Sequence, residues 1–354
     1  MKLTRSQIIT LVVLGVLTMG VYGCLVGTVV INSRQGVQPP PTEAATLLPQ
    51  KTTAPTDTPV PPPTPTITPS PTPIAPQTRY DLQITTSPND PALRLQRGYA
   101  YIELAAYTYA VGDFDAALEA DNSLSEAYLG RGIAHFYLKD WSTALDDWKQ
   151  AQNSNPELAE AFTWRGRVLS LQGKHRLALD ELHQAIALDE TNPDNHLALA
   201  DALLRSGEQE KATLEYTTVL SSEVRSVEAY VGRAMALTLQ GDFATAEADL
   251  KSAEEIAPHD PAVLNAQARF YGWYGRGDLD TAARMAQLAV NGARGDLEKA
   301  LYLDTLGRIY YDQKRYGEAV TALEQAADLA TVEGHVIYTE IPGYLEEAKK
   351  ALEP

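Results

Sequence analysis

The 354-residue sequence has one cysteine, Cys24, so the chain can form no internal disulfide and no thiolate metal cluster. Its six histidines are scattered at 135, 175, 183, 196, 259 and 335, with no HExxH and no His/carboxylate grouping at ligand spacing. Gly-x-Ser-x-Gly, Walker A and dinucleotide fingerprints are missing too. No catalytic, cofactor-binding or metal-ligating residue is therefore assigned, and the expectation is a protein that is not an enzyme and carries no cofactor. Basic runs are also lacking. Residues 1–36 carry three basic side chains and no acid, residues 37–90 carry a net −2, and the remainder carries −18 of the total −17. A folded region this acidic repels phosphate backbones, which excludes nucleic acid as a partner.

Proline is scarce except in one place: sixteen of the 22 fall between Pro39 and Pro91. From about 32 to 90 the chain is Pro/Thr-rich, as in Pro61-Pro62-Pro63-Thr64-Pro65-Thr66, with almost nothing to bury, and reads as a disordered linker. It would span about 42 Å as a flexible coil and about 180 Å fully extended.

Before it, Ile8 to Ile31 contains no charged side chain. As a helix this run is about 36 Å long, enough to cross a hydrocarbon core of about 30 Å. The reading is a short basic cytoplasmic tail over 1–7 and a single transmembrane anchor over 8–31. Lys2, Arg5 and the terminal amine outweigh Arg34, which puts the N-terminus in the cytoplasm and the rest of the chain outside. A second reading stays open: Val21-Tyr22-Gly23-Cys24 resembles a bacterial lipobox, in which Cys24 would be acylated, although Tyr22 is bulky and Leu25 to Ile31 continues apolar. Gly23 and Gly27 stand at the spacing that lets two membrane helices approach, so a homodimer through them is a further expectation.

From Pro91 onward the sequence repeats every 34 residues. Small residues recur at Gly98, Gly132, Gly166, Ala200, Ala234 and Ala268, and again at Ala110, Ala144, Ala178, Ala212 and Ala246. Large residues keep phase with them: Phe114, Trp148, Leu182, Tyr216 and Leu250 follow a small residue by four. Spacings of three and four are helical, Gly173, Gly207 and Gly241 fall midway where the chain must turn, and Pro156 and Pro258 fall near the end of a unit. The unit is a helical hairpin that cannot bury its apolar side alone, so the units stack into an α-solenoid.

This pattern resembles the tetratricopeptide repeat (TPR) family, most clearly at Tyr128-x-x-Arg131-Gly132-x-x-His135 followed by Ala144-x-x-x-Trp148 and Pro156. Seven units are expected: 91–124, 125–158, 159–192, 193–226, 227–260, 261–299 and 300–333, the sixth five residues too long. Arg97, Arg131, Arg165 and Arg233 stand where the family usually has leucine. The resemblance implies an all-α, right-handed solenoid; residues 334–354, with an amphipathic run from Pro342 to Leu352, would cap it.

The resemblance also implies a concave groove, lined by the first helix of each hairpin, that takes extended or helical peptides. Carried over by position, its candidates are Leu95, Tyr99, Ile102, Leu129, Ile133, Phe136 and Tyr137, then Arg167, Arg205, Arg269 and Arg308. The first seven form either an apolar anchor site or, if the register differs by one, simply core. The four arginines could pair with acidic groups of a partner. The implied function is a membrane-anchored, extracytoplasmic scaffold that binds a protein or peptide; the competing class is a receptor for a cell-wall glycan or other non-protein ligand. Arg276-Gly277-Asp278 and Arg294-Gly295-Asp296 match an adhesion triplet, but each sits where the repeat needs a turn and a helix start.

Overall fold

The computed structural model describes residues 76–222, 225–332, 335–336 and 341–353. The basic tail, the anchor with Gly23, Cys24 and Gly27, and the linker up to residue 75 lie outside them. Among the described residues no helix is long and apolar enough to cross a membrane.

The chain forms an α-solenoid. A leading helix α1 (Pro76–Thr86) precedes seven hairpins: α2/α3 (Pro91–Glu103, Tyr107–Ala120), α4/α5 (Ser125–Tyr137, Trp141–Ser154), α6/α7 (Ala159–Leu171, His175–Leu188), α8/α9 (Pro193–Ser206, Gln209–Ser222), α10/α11 (Val227–Gln240, Phe243–Ile256), α12/α13 (Pro261–Trp273, Leu279–Gly292) and α14/α15 (Asp296–Asp312, Tyr316–Leu329). A two-residue antiparallel ladder, β1 (Thr331–Val332) with β2 (His335–Val336), then leads to α16 (Ile341–Leu352). α16 packs on α15 and closes the apolar end of the stack, with Ile341 and Ala348 fully buried.

One boundary needs correcting. The stretch read as linker to residue 90 already contains α1, which packs on α2 through buried Ile84 and an Asp81–Arg97 ion pair of 2.6 Å. Proline density conceals it, because Pro76 occupies the first helical position, where no hydrogen bond is lost, and Pro88 comes after the helix has ended.

The hairpins pair as the small-to-large spacing requires. A Cβ added at Gly98, Gly132, Gly166 or Gly307 would stand 2.5–2.7 Å from Phe114, Trp148, Leu182 or Leu323, each sixteen residues further on. Every hairpin turn places one residue in the left-handed region at the same repeat position: Ala105, Lys139, Gly173, Gly207, Gly241, Gly275 and Lys314. Glycine marks only four of the seven, so the first, second and last turns adopt this geometry against their side chains' preference. The five extra residues of the sixth unit divide between its hairpin turn at 274–278 and a 17-residue α14, longer than any other first helix.

Arginine in place of leucine at 97, 131, 165 and 233 also finds its reason. Each guanidinium bonds a carboxylate sixteen residues on, in the second helix of its own hairpin: Asp113, Asp147, Glu181 and Asp249, at 2.5–2.8 Å. Three of them also reach sixteen residues back, to Asp81, Asp115 and Thr217. The result is an ionic ladder that ties hairpin to hairpin. It is interrupted in the fourth unit, where Leu199 takes the arginine position, and stops in the sixth and seventh, at Gln267 and Leu306.

Each first helix packs on the next first helix, from α2 on α4 to α12 on α14, which places them on the inside of the curve. The curl is tight. Lys139, in the second turn, donates to Asp296 at the start of α14 (3.0 Å) and to the Leu329 carbonyl at the end of α15 (3.3 Å). One apolar cluster, including Phe136, Trp141, Trp164 and Val168, continues directly into α12–α16 through residues such as Leu297, Leu301 and Ala330. The second and third hairpins therefore meet the last two.

Candidate functional site

Of the seven apolar candidates, Ile102, Leu129 and Phe136 are buried, and these three correct the groove reading: they are core. Phe136 stacks on Trp141 (5.5 Å between centroids) and lies 5.7 Å from Trp164. Leu129 supplies the carbonyl that accepts the Trp148 indole N–H at 3.2 Å. The first helices carry a wide apolar stripe, and the part of it nearest the second helix closes the hairpin.

Leu95, Tyr99, Ile133 and Tyr137 are half-buried. The Tyr99 ring meets Phe114 edge-on at 5.2 Å, and its hydroxyl donates to the Glu126 carbonyl at 2.8 Å. Tyr137 stacks flat on Tyr107, centroids 4.6 Å apart. Burial pushes the phenols of Tyr99 and Tyr137 above the usual tyrosine range, so both are neutral donors at any physiological pH.

The four arginines do not join this strip. They are buried, at 1–5 % exposure, and collect into two pairs. In the first, Arg167 on α6 bonds Asp194 of α8, while Arg205 on α8 lies beside Asp201. The Tyr216 hydroxyl donates to Asp201 at 2.6 Å. Burial nevertheless lifts the Asp201 carboxyl to about 7, against the pull of Tyr216, Arg167 and Arg205. In the second pair, Arg269 on α12 stands 4.4 Å from the centroid of the Trp273 ring. Arg308 on α14 stands 4.7 Å from the same ring and 4.0 Å from Tyr344 of α16, and its Nε donates to Asp304 at 2.8 Å. The Asp304 carboxyl is raised by burial, with Arg308 and Arg269 opposing.

Asp201, Asp304, Trp273 and Tyr344 are thus the residues missed by reading the groove from its arginines alone. A signal for one existed: Asp201 is 34 residues after Arg167 and 68, two repeats, before Arg269, the same inward position carrying the opposite charge. Tyr344 had none, because it arrives from beyond the repeat.

Both Arg-Gly-Asp triplets are used structurally. Asp278 accepts the Thr281 backbone N–H at the start of α13, and Arg276 lies 3.7 Å from the Phe243 ring centroid. Arg294 pairs with Asp260, and Asp296 accepts Lys139. Among the described residues there is no group of three His, Cys, Asp or Glu placed to hold a metal ion.

Family models described as tetratricopeptide repeat match residues 129–195 and 197–261, and a second of the same description matches 300–331, so the chain contains tetratricopeptide repeats. No curated protein matches the sequence. Among solved structures, a tetratricopeptide repeat protein from Parabacteroides merdae is 13% identical, with a TM-score of 0.57 over 77% of this chain and 99% of that one. The APC/C hetero-tetramer Cut9–Hcn1 is similar at 18% identity and TM-score 0.55, over 78% of this chain and 55% of that one. Yeast Tom70 is similar at 16% identity and TM-score 0.50, over 77% of this chain and 58% of that one. At these identities the likeness is one of fold.

Proposed function

We propose that this chain is a membrane-anchored, outward-facing scaffold whose tetratricopeptide hairpins bind a protein or peptide partner and catalyse nothing. The observation that carries the reading is the half-buried strip Leu95, Tyr99, Ile133 and Tyr137 on α2 and α4. Apolar and aromatic edges stand there on the inner face, beside a core that fixes them, in a stack whose repeats are generally interaction modules. The placement rests on the uncharged run from Ile8 to Ile31, its basic flank and the Pro/Thr-rich spacer, which would hold the solenoid clear of the bilayer.

The test is capture by the full chain in its membrane, with a photo-crosslinker at position 133. Wild type should retain a peptide or protein, and Leu95→Asp with Tyr99→Ser should lose it while helicity at the assay temperature is kept, whereas Tyr99→Phe, which keeps the ring on Phe114, should retain it. Retention of glycan alone would overturn the protein-binding reading. A reporter fused after Pro354 tests orientation; activity in the cytoplasm reverses it. A mature chain beginning at Cys24 would replace the anchor by a lipid.

A further inference from the structure

Lys139 joins parts of the chain that the repeat order keeps far apart. Its ammonium donates to Asp296, 157 residues on at the start of α14, at 3.0 Å, and to the Leu329 carbonyl, 190 residues on at the end of α15, at 3.3 Å. Both acceptors suit a cation. One is a carboxylate, and the other belongs to the last turn of a helix, where carbonyls lack intrahelical donors and the dipole is negative. The rest of the contact is apolar. Phe136, Trp141, Trp164 and Val168 share a cluster with Leu297, Leu301 and Ala330, whereas the buried residues of the fourth and fifth hairpins fall in other clusters. The continuity therefore runs directly between the two ends of the arc and not along the stack. This seam is thin: no helix of the second or third hairpin lies along one of the last two as stacked neighbours do. A thin apolar contact leaves closure near balance, so a single charged contact can decide it.

We propose that Lys139 is a salt-sensitive latch that closes the solenoid into a ring, and that its release opens the arc and uncovers the apolar seam. The pair stands in solvent, with 31 % of the Lys139 side chain and 60 % of Asp296 exposed, so dissolved ions reach and screen it. Ile133 and Tyr137 of the partner-binding strip pack against the cluster that forms the seam, so the same latch alters the backing of that strip. The latch needs no partner to act, and its failure would leave the reading of the strip untouched. The latch is also separable from folding. Lys139 has φ 64° at a turn position where the third to sixth hairpins carry glycine, so glycine there suits the turn. Lys314 holds the same geometry in the last turn, φ 62°, with its side chain exposed, and serves as the matched control.

The full chain with Cys24→Ser, which removes the native thiol, is spin-labelled at Gln150→Cys on α5 and Gln325→Cys on α15, both exposed positions. The distance between the labels is measured by double electron–electron resonance. At low salt this parent chain should give a short distance, joined by a longer one at about 1 M sodium chloride, where screening acts within about 3 Å. Lys139→Gly should lower the short-to-long ratio about fivefold at low salt, the upper range for an exposed pair, and remove most of its salt dependence. Asp296→Asn, which leaves the Leu329 carbonyl in place, should lower the ratio less. Lys314→Gly should keep the distances of the parent. The proposal is overturned if Lys139→Gly keeps the parent ratio at both salts, since the apolar seam alone would then hold the ring. It is equally overturned by a parent chain that gives only the long distance at low salt, or by a Lys314→Gly variant that opens as far as Lys139→Gly. Should Lys139→Gly not fold, Asp296→Asn and the salt series still decide.

Discussion

Arginines on the first helices do two different jobs two residues apart. Arg165 belongs to the ladder: it bonds Glu181 of its own hairpin at 2.5 Å and keeps about a quarter of its side chain in solvent. Arg167, one step inward, is almost wholly buried and finds Asp194 in the next hairpin. The ladder repeats because sixteen residues always separate facing positions of one hairpin. The inner arginines share no such rule: Arg308 bonds Asp304 and Arg205 lies beside Asp201, each four residues back on its own helix, while Arg167 reaches into the next hairpin.

The most damaging way to test the ladder is to remove one rung. Arg131→Met leaves Asp147, 3 % exposed, with only His135 at 4.0 Å in place of its bidentate guanidinium, and should cost about 3 kcal/mol in urea unfolding. Replacing both partners, Arg131→Met with Asp147→Leu, should recover most of that loss. If the double variant is as unstable as the single one, the rung contributes something beyond its own charge balance.

On the inner side the expected effect depends on pH. Asp201 holds its proton far more tightly folded than unfolded, so it favours the folded state below the unfolded carboxylate pKa. That advantage is lost as pH rises from about 4 to about 7. Asp201→Asn should abolish this loss, gaining up to about 4 kcal/mol relative to wild type above pH 7 if Tyr216 keeps its hydrogen bond. Parallel melting curves for the two proteins between pH 5 and 8 would contradict the assignment.

Spacing between rungs gives a smaller effect. Gly132→Ala brings a methyl to 2.5 Å from the Trp148 indole nitrogen and should cost about 1–3 kcal/mol, measured by denaturation. At Gly112, where a Cβ would meet nothing, the same change should stabilise by about 0.5–1 kcal/mol. The smallest effect is in the turns. Ala105→Gly relieves a left-handed alanine at φ 54° and should gain about 0.5–1 kcal/mol, visible as a rise of a few degrees in melting. A fall would show that the first turn is not held in the geometry of the glycine turns.

Much of the array was legible in the sequence because a helical hairpin is a local object. Gly132 and Trp148 sit sixteen residues apart, and their spacing alone fixes which residue must be small and which must be large. The first helix of the stack was hidden, since Pro76 in a proline-rich stretch gives no sign of whether it starts a helix. The groove was half legible: position assigned Leu95, Tyr99, Ile133 and Tyr137 to the inner face, but helical spacing suits core as well as groove, and it is the packing of Leu129 on Trp148 and of Phe136 on Trp141 and Trp164 that places those two in the core.

By itself the sequence determined the unit: two helices, a turn, and a small-to-large contact between them, repeated because each contact lies within a few dozen residues. Only the tertiary structure decided the curl that brings Lys139 to Asp296 and Leu329, and the arrival of Tyr344, from beyond the repeats, against Arg308. The curl arises from small rotations between successive hairpins, summed from the second unit to the seventh, so no single repeat contains the information that sets it.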